Sequence, residues 1–264
     1  MNRPVCEQVP LSVHRELEHD YHSLVFSPFT AAQHCRPGQF FHIRIPGTDI
    51  LFRRAFSVAS AAPRRRDVEI ILKVFGRGSR ALSRLRPGDV VDILGPLGNG
   101  FDDPPADTTV IMVAGGVGFP PLLYLAQHLL DQGRDPESIQ FFYGGRTAAD
   151  IIERDRIVGL GIGFHPVTED GSLGETGMVT TPVGDFLAGH NPGSVYLYGC
   201  GPEGMLRATD GLARNVGVAG QLSLEAPMPC GIGICLGCVV PLTEGGHARV
   251  CREGPVFAIG EVAL

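Results

Sequence analysis

The 264-residue sequence has no run of about 18 apolar residues, the length a helix needs to cross a bilayer, so nothing in it is expected to span a membrane. Its opening text, MNRPVCEQVP, lacks the apolar core of a secretory signal. Basic residues are nowhere massed. The net charge is −6, and the one basic run, Arg64-Arg65-Arg66, reads as a solvated loop. Nucleic acid is therefore not an expected partner, because phosphate binding draws on clustered Lys and Arg. Tryptophan is absent, which by itself excludes nothing. Together these absences point to a cytoplasmic protein.

What is present is a folding composition, 44% hydrophobic and 19% charged. There are seven cysteines. In a cytoplasmic setting they argue for metal or redox chemistry rather than a disulfide framework. In the first hundred residues short apolar stretches alternate with turn signals. Residues 39–45 follow Pro37-Gly38, 54–59 and 68–74 come next, and 90–94 follow Pro87-Gly88. That spacing predicts a small antiparallel β barrel, with one short helix over 80–85.

The pattern changes after the polar stretch 102–107. Apolar runs at 109–114, 139–143 and 194–198 each end in glycine, and helical patterns follow at 121–130 and 203–215. Strand, glycine turn and helix in alternation predict a parallel sheet with crossover helices. The last forty residues are rich in Cys and Gly and have no long period. The expected fold is thus a β barrel over 1–105, an α/β parallel-sheet nucleotide-binding domain over 106–222, and a small C-terminal iron–sulfur module over 223–264.

Cys230, Cys235 and Cys238 are followed after twelve residues by Cys251. Four residues separate the first pair and two the second, the plant-type spacing of a 2Fe–2S cluster. Gly231, Gly233 and Gly237 let the intervening backbone turn tightly and approach a cluster closely. A structural zinc site would more usually use two close pairs. Cys6 and Cys35 read as ordinary free thiols.

Four further motifs suit phosphates and ring cofactors. Gly115-Gly116-Val117-Gly118 stands between a strand and a helix, where glycines admit a pyrophosphate and the helix start favours its charge; it also suits a plain turn. Arg54-Ala55-Phe56-Ser57 lies in a barrel strand, and its Arg and Ser suit a phosphate and a flavin edge, or simply an exposed strand. Gly76-Arg77-Gly78-Ser79 precedes a short helix. Gly199-Cys200-Gly201-Pro202 ends the third parallel strand, which puts Cys200 at a cofactor crevice or in an ordinary buried position.

These motifs, in this order, resemble the ferredoxin–NADP reductase superfamily over residues 1–222. The tail, Glu225-Ala-Pro-Met-Pro-Cys230 through Arg249-Val-Cys251-Arg-Glu-Gly-Pro-Val-Phe257, resembles the electron-transfer subunits of dihydroorotate dehydrogenase B. The resemblance implies FAD in the barrel, NAD in the second domain, and a 2Fe–2S cluster on Cys230, Cys235, Cys238 and Cys251. It implies Arg54 on the FAD phosphate, Ser57 at the isoalloxazine edge, and Gly76, Gly78 and Ser79 around the pyrophosphate. Ala55, Phe56 and Lys73 join the cofactor contacts. Gly115, Gly116 and Gly118 open the NAD site, with Gly199, Gly201 and Pro202 beside it and Cys200 near the nicotinamide. The implied partner is an FMN-containing dihydroorotate dehydrogenase catalytic subunit, in a heterotetramer of two plus two. That partner oxidises dihydroorotate, and electrons run from FMN through the cluster and FAD to NAD.

The sequence departs from the family pattern at Ala55, where Pro is frequent, and at Arg252-Glu253, with no effect expected on ligation. It also departs at Phe119, which is expected to crowd or reshape the nucleotide site. Two other readings stand beside this one. One is the reductase subunit of another NAD(P)-linked complex, such as a sulfur-reducing hydrogenase or a transhydrogenase. The other is a non-enzymatic iron–sulfur or zinc module on a degenerate reductase fold.

Overall fold

The structure, a computed structural model, describes residues 4–45 and 47–264; the first three residues of the opening MNRPVCEQVP lie outside them. Seven strands build the first domain: β1 (Val5–Glu16), β2 (Tyr21–Phe26), β3 (Phe40–Arg44), β4 (Arg54–Ser57), β5 (Ser60–Ala62), β6 (Asp67–Lys73) and β7 (Val90–Leu97), with helix α1 (Arg77–Leu82) after β6. They form one antiparallel sheet in the order β4-β3-β7-β1-β2-β6-β5. Bulges between Leu11 and Val13 on β1, and between Phe40 and His42 on β3, bend the sheet. Side chains from its opposite flanks, Ile43 on β3 and Ile70 on β6, then meet in one core with Phe26 and Phe41. The sheet is therefore rolled into the expected barrel. Strands β1 and β2 carry alternating burial without a turn dipeptide between them, which is why the turn-based reading passed over them.

The second domain comprises β8 (Thr109–Gly115), α2 (Phe119–Asp131), β9 (Ile139–Gly145), α3 (Arg154–Val158), β10 (Gly163–Thr168), β11 (Glu175–Thr176), α4 (Thr180–Ala188), β12 (Val195–Cys200), α5 (Glu203–Val216) and β13 (Ala219–Ser223). Its strands pair in parallel in the order β11-β10-β9-β8-β12-β13. From β8 the chain winds first toward β9 and β10, then returns to β12 on the other side. The carboxyl ends of β8 and β12 are thus a topological switch point, where open parallel sheets bind ligands.

The C-terminal segment adds a hairpin of β14 (Val239–Pro241) and β15 (His247–Arg249), then β16 (Val256–Ala258). Strand β16 pairs antiparallel with β13 and so completes the second sheet. Asn99, at the barrel exit, clamps this return: its Nδ2 donates to the carbonyls of Glu253 and Val256 at 2.9 and 2.8 Å, and its Oδ1 accepts from the Val256 N–H at 3.0 Å. Phe40 and Leu97 of the barrel share a core with Cys238, Val250 and Cys251. The cysteine module is thereby wedged against both larger domains. Among the described residues no helix is long and apolar enough to cross a membrane.

Candidate functional site

The barrel brings two of the motifs together. Arg54-Ala-Phe-Ser57 is β4, and its register sets Ser57 opposite Phe40 and Ala55 opposite His42. Gly76-Arg-Gly-Ser79 opens α1, which covers Arg77–Leu82 rather than the expected 80–85. The helix starts early because the Ser79 hydroxyl oxygen accepts from the N–H groups of both Phe75 and Gly76, each at 3.1 Å, and so caps its first turn. A Cβ on Gly78 would lie 3.0 Å from the Arg54 side chain, so the two motifs are in contact. Beside them is a cavity of about 190 Å³ lined by Ala55, Phe56, Ser57, Lys73, Phe75, Cys200 and Glu225. Phe75 is 82% exposed, leaving a bare aromatic face at this cavity.

The glycine turns of the second domain meet at the switch point. A Cβ on Gly118 would fall 2.4 Å from the Cys200 carbonyl oxygen, and one on Gly201 would fall 2.9 Å from the Gly115 nitrogen. These glycines let the ends of β8 and β12 close on each other. A Cβ on Gly116, by contrast, would meet nothing within 4 Å, so this glycine faces open space. A cavity of about 420 Å³, within the usual range for a small-molecule site, is lined by Gly115, Gly116, Gly145, Arg146, Glu169 and Pro202. Tyr21 and Lys73 reach it from the barrel. The Tyr21 hydroxyl is buried and has no hydrogen-bond partner among the described residues, which leaves it available to a ligand.

Phe119 does not line this cavity, which corrects the expectation that it crowds the site. It is fully buried and stacks on Tyr143 with ring centroids 5.3 Å apart. Tyr143 in turn donates its hydroxyl to the Gly116 carbonyl at 3.0 Å. The bulky residue therefore supports the glycine turn from inside the core.

Lys73 and Val117 line both cavities, which share that wall. Lys73 Nζ lies 2.7 Å from Asp150 Oδ1, joining the barrel to the second domain. Burial opposes the charge on Lys73, but the Asp150 carboxylate outweighs it and holds the amine above its ordinary range. Cys200 is buried at the same place. Burial pushes its thiol up, and the nearby Glu225 carboxylate adds to this, so it is a neutral thiol at neutral pH. A larger groove, about 820 Å³, lies elsewhere around Arg15, Glu69 and Arg156. Its central carboxylate is already matched: Glu69 accepts from Ser23 Oγ at 2.6 Å and pairs with Arg156 at 2.9 Å.

The cysteines form two pairs. Cys238 Sγ and Cys251 Sγ are 3.2 Å apart and buried, while Cys230 and Cys235 sit together at the exposed loop. Among the described residues no three His, Cys, Asp or Glu side chains gather at one point as a mononuclear site requires. Two thiols at each of two positions match two irons. Burial opposes ionisation of Cys230, but main-chain N–H groups of Cys235, Ile232 and Ile234 overcome it and bring the thiol down to about 6. The loop is therefore preset for a thiolate. Burial and the neighbouring Cys238 push Cys251 up to about 12, so Cys251 ionises when a cation is present.

Three domain families match the chain in order: an oxidoreductase FAD-binding domain at 8–101, an oxidoreductase NAD-binding domain at 112–211, and the iron–sulfur cluster binding domain of dihydroorotate dehydrogenase B at 225–263. The dihydroorotate dehydrogenase B (NAD(+)) electron transfer subunit of Geobacillus kaustophilus is 36% identical over 263 residues, which is 98% of this chain and 98% of that one. The chain belongs to this family of electron transfer subunits. The counterpart from Shouchella clausii is 36% identical over 94% of this chain and 95% of its own length. Among solved structures, an NADH-dependent reduced ferredoxin–NADP oxidoreductase studied for flavin-based electron bifurcation aligns with a TM-score of 0.83 at 27% identity, over 96% of this chain and 89% of that one. The cytochrome b5 reductase domain of Ulva prolifera nitrate reductase shares the fold, with a TM-score of 0.67 at 22% identity, over 81% of this chain and 93% of that one.

Against the dihydroorotate dehydrogenase B pattern, sequence reasoning missed several residues at these cavities. Tyr21, Phe75 and Asp150 belong to no motif, and only the fold brings them in; Glu225 opens the tail motif but was given no role at a cavity. His42 was missed as well. It is fully buried on β3, and burial pushes it down to about 4, so its ring is neutral.

Proposed function

We propose that this chain passes electrons from an FMN-containing dihydroorotate dehydrogenase catalytic subunit through a 2Fe–2S cluster and FAD to NAD, in the cytoplasm, as part of pyrimidine biosynthesis. The observation that carries the reading is the wall of Lys73 and Val117 shared by two cavities, each beside its own cofactor motif. Hydride transfer needs two ring systems in contact, and adjoining cavities supply that.

FAD, when bound, exchanges a hydride with NAD and single electrons with the cluster. The chain's own residues bind and orient. Arg54 and the α1 start, with Gly76, Gly78 and Ser79, hold the flavin phosphates. Ala55, Phe56 and Ser57 border its ring, and Lys73 fixes the ring edge from the partition between cavities. Gly115, Gly116 and Pro202 form the floor for NAD, Gly118, Gly199 and Gly201 let the strands behind it pack closely, and the neutral Cys200 thiol packs near the nicotinamide. Cys230, Cys235, Cys238 and Cys251 hold the irons in pairs. The division into 1–105, 106–222 and 223–264 follows these three cofactor roles.

The cluster loop also supports a partner. Ile234 is 75% exposed and Leu236 63%, an apolar rim around Cys235 of the kind that a docked subunit covers. We assign that position to the FMN subunit, in a two-plus-two assembly. The likeness to the bifurcating reductase favours a second reading, the reductase subunit of another NAD(P)-linked complex. The full-length 36% identity to the electron transfer subunits favours the first.

The test is an anaerobic visible spectrum with iron, zinc and flavin counted per chain. Two irons, no zinc and one FAD support the relay. Zinc without flavin refutes it and leaves the fold as a scaffold.

A further inference from the structure

His42 is a buried imidazole without a hydrogen-bond partner among the described residues. Its exposure is 0%, and both ring nitrogens are unsatisfied there. Buried polar side chains are nearly always satisfied, so an orphaned buried ring points to a group that belongs beside it. The position of the ring identifies that group.

On one side stands the flavin cavity. Phe40, two residues back on β3, and Ala55, the cross-strand partner of His42, both line it. On the other side stands the cysteine loop. Gly231 follows Cys230 and has φ +69°, and a Cβ there would lie 2.7 Å from His42 Nδ1. The loop thus lays a bare Cα directly on the ring. The Met228 main chain runs alongside as well, though not in hydrogen-bonding geometry. In the same loop the Gly237 main-chain N–H already donates to Cys235 Sγ at 3.4 Å. The His42 N–H is a free side-chain donor at the same loop.

We propose that His42 donates a hydrogen bond to the sulfur at the Cys230 side of the cluster and thereby raises the cluster's reduction potential. This rests on the cluster reading above. A reduced cluster carries one more negative charge, and a donor aimed at its sulfur stabilises that state over the oxidised one. The same ring, held between β3 and the loop, fixes the cluster's position relative to the flavin. His42 is in this sense a positioning residue.

The experiment is a redox titration of the intact holoprotein, followed by the EPR signal of the reduced cluster, with iron and flavin counted. His42→Phe keeps a ring and removes the donor. It should make reduction about tenfold less favourable, which is about 59 mV lower for one electron. His42→Gln keeps an N–H and should recover part of the shift. A second measurement does not depend on how these variants fold. In a His247→Asn background, ¹⁵N-histidine labelling should give the reduced cluster a weak ¹⁵N coupling. An unchanged potential in a cluster-loaded His42→Phe protein, or no ¹⁵N coupling, overturns the proposal. Absence of any cluster signal in the unaltered protein overturns the cluster reading and this proposal with it.

Discussion

Gly231→Ala is the substitution whose cost the structure defines best. Two separate penalties apply. Gly231 has φ +69°, in the left-handed region, where a Cβ costs about 1–2 kcal/mol. The added Cβ would also meet the His42 ring at 2.7–2.9 Å. That ring is fully buried on a strand paired on both sides, so it cannot move aside. Overpacking of this kind costs about 1–3 kcal/mol. The expected loss is therefore about 2–5 kcal/mol. Gly246, in the β14–β15 turn, supplies the control: its φ is +83°, but nothing lies within 4 Å of a Cβ there. Gly246→Ala should lose only about 1–2 kcal/mol. Denaturant titrations of each variant, with iron retained per chain as a local readout, measure the difference. In a double-mutant cycle, His42→Ala should relieve the Gly231→Ala penalty by about 1–3 kcal/mol. Equal losses for the two glycine variants, with no coupling to His42, would refute the contact between ring and loop.

Three further outcomes are expected. Cys235→Ser should abolish NAD reduction driven by the catalytic subunit, while NADH oxidation by an artificial acceptor through FAD survives; loss of FAD in a folded variant would count against a modular relay. Glu69→Gln should destabilise the chain by about 1.5–3 kcal/mol at pH 7, measured by chemical denaturation. Burial opposes the charge on Glu69, but Arg156 and the Ser23 and Ser60 hydroxyls outweigh it and hold the carboxyl below its ordinary 4.5. Its contribution is thus complete above about pH 4.5 and is lost as pH falls through the folded value, so the two proteins should converge in acid; a gap that widens there would disprove the assignment. Finally, Glu169 lines the cavity proposed for NAD together with Arg146, where a carboxylate repels a 2′-phosphate. Glu169→Gln should raise the NADPH/NADH ratio of kcat/KM by up to about fivefold, and an unchanged ratio would remove Glu169 from the choice.

The spacing of Cys230, Cys235, Cys238 and Cys251, and the glycines between them, carried the cluster reading without coordinates, because ligand spacing within one loop is a local property. The same holds for the glycine turns after β8 and β12 and for the switch from barrel to parallel sheet, since hydrophobic period and turn residues are local too. Strands β1 and β2 escaped notice for lack of a turn signal, although β1 is the longest strand in the barrel at 12 residues. Phe119 was misjudged because sequence shows which residue follows a glycine turn but not which way its side chain points. Only packing against Tyr143 decided that it belongs to the core.

What the sequence by itself determined was the set of cofactor motifs, their order and the fold class. Each depends on residues near one another in the chain. What only the tertiary structure decided was how the motifs meet. Lys73 comes to divide two cavities, Tyr21 reaches the second domain's cavity, β16 returns to pair with β13, and His42 lies beneath Gly231, 189 positions further along the numbering. Such contacts follow from how the barrel, the parallel sheet and the cysteine module pack together. Burial and long-range register fix that packing, and no local pattern encodes either.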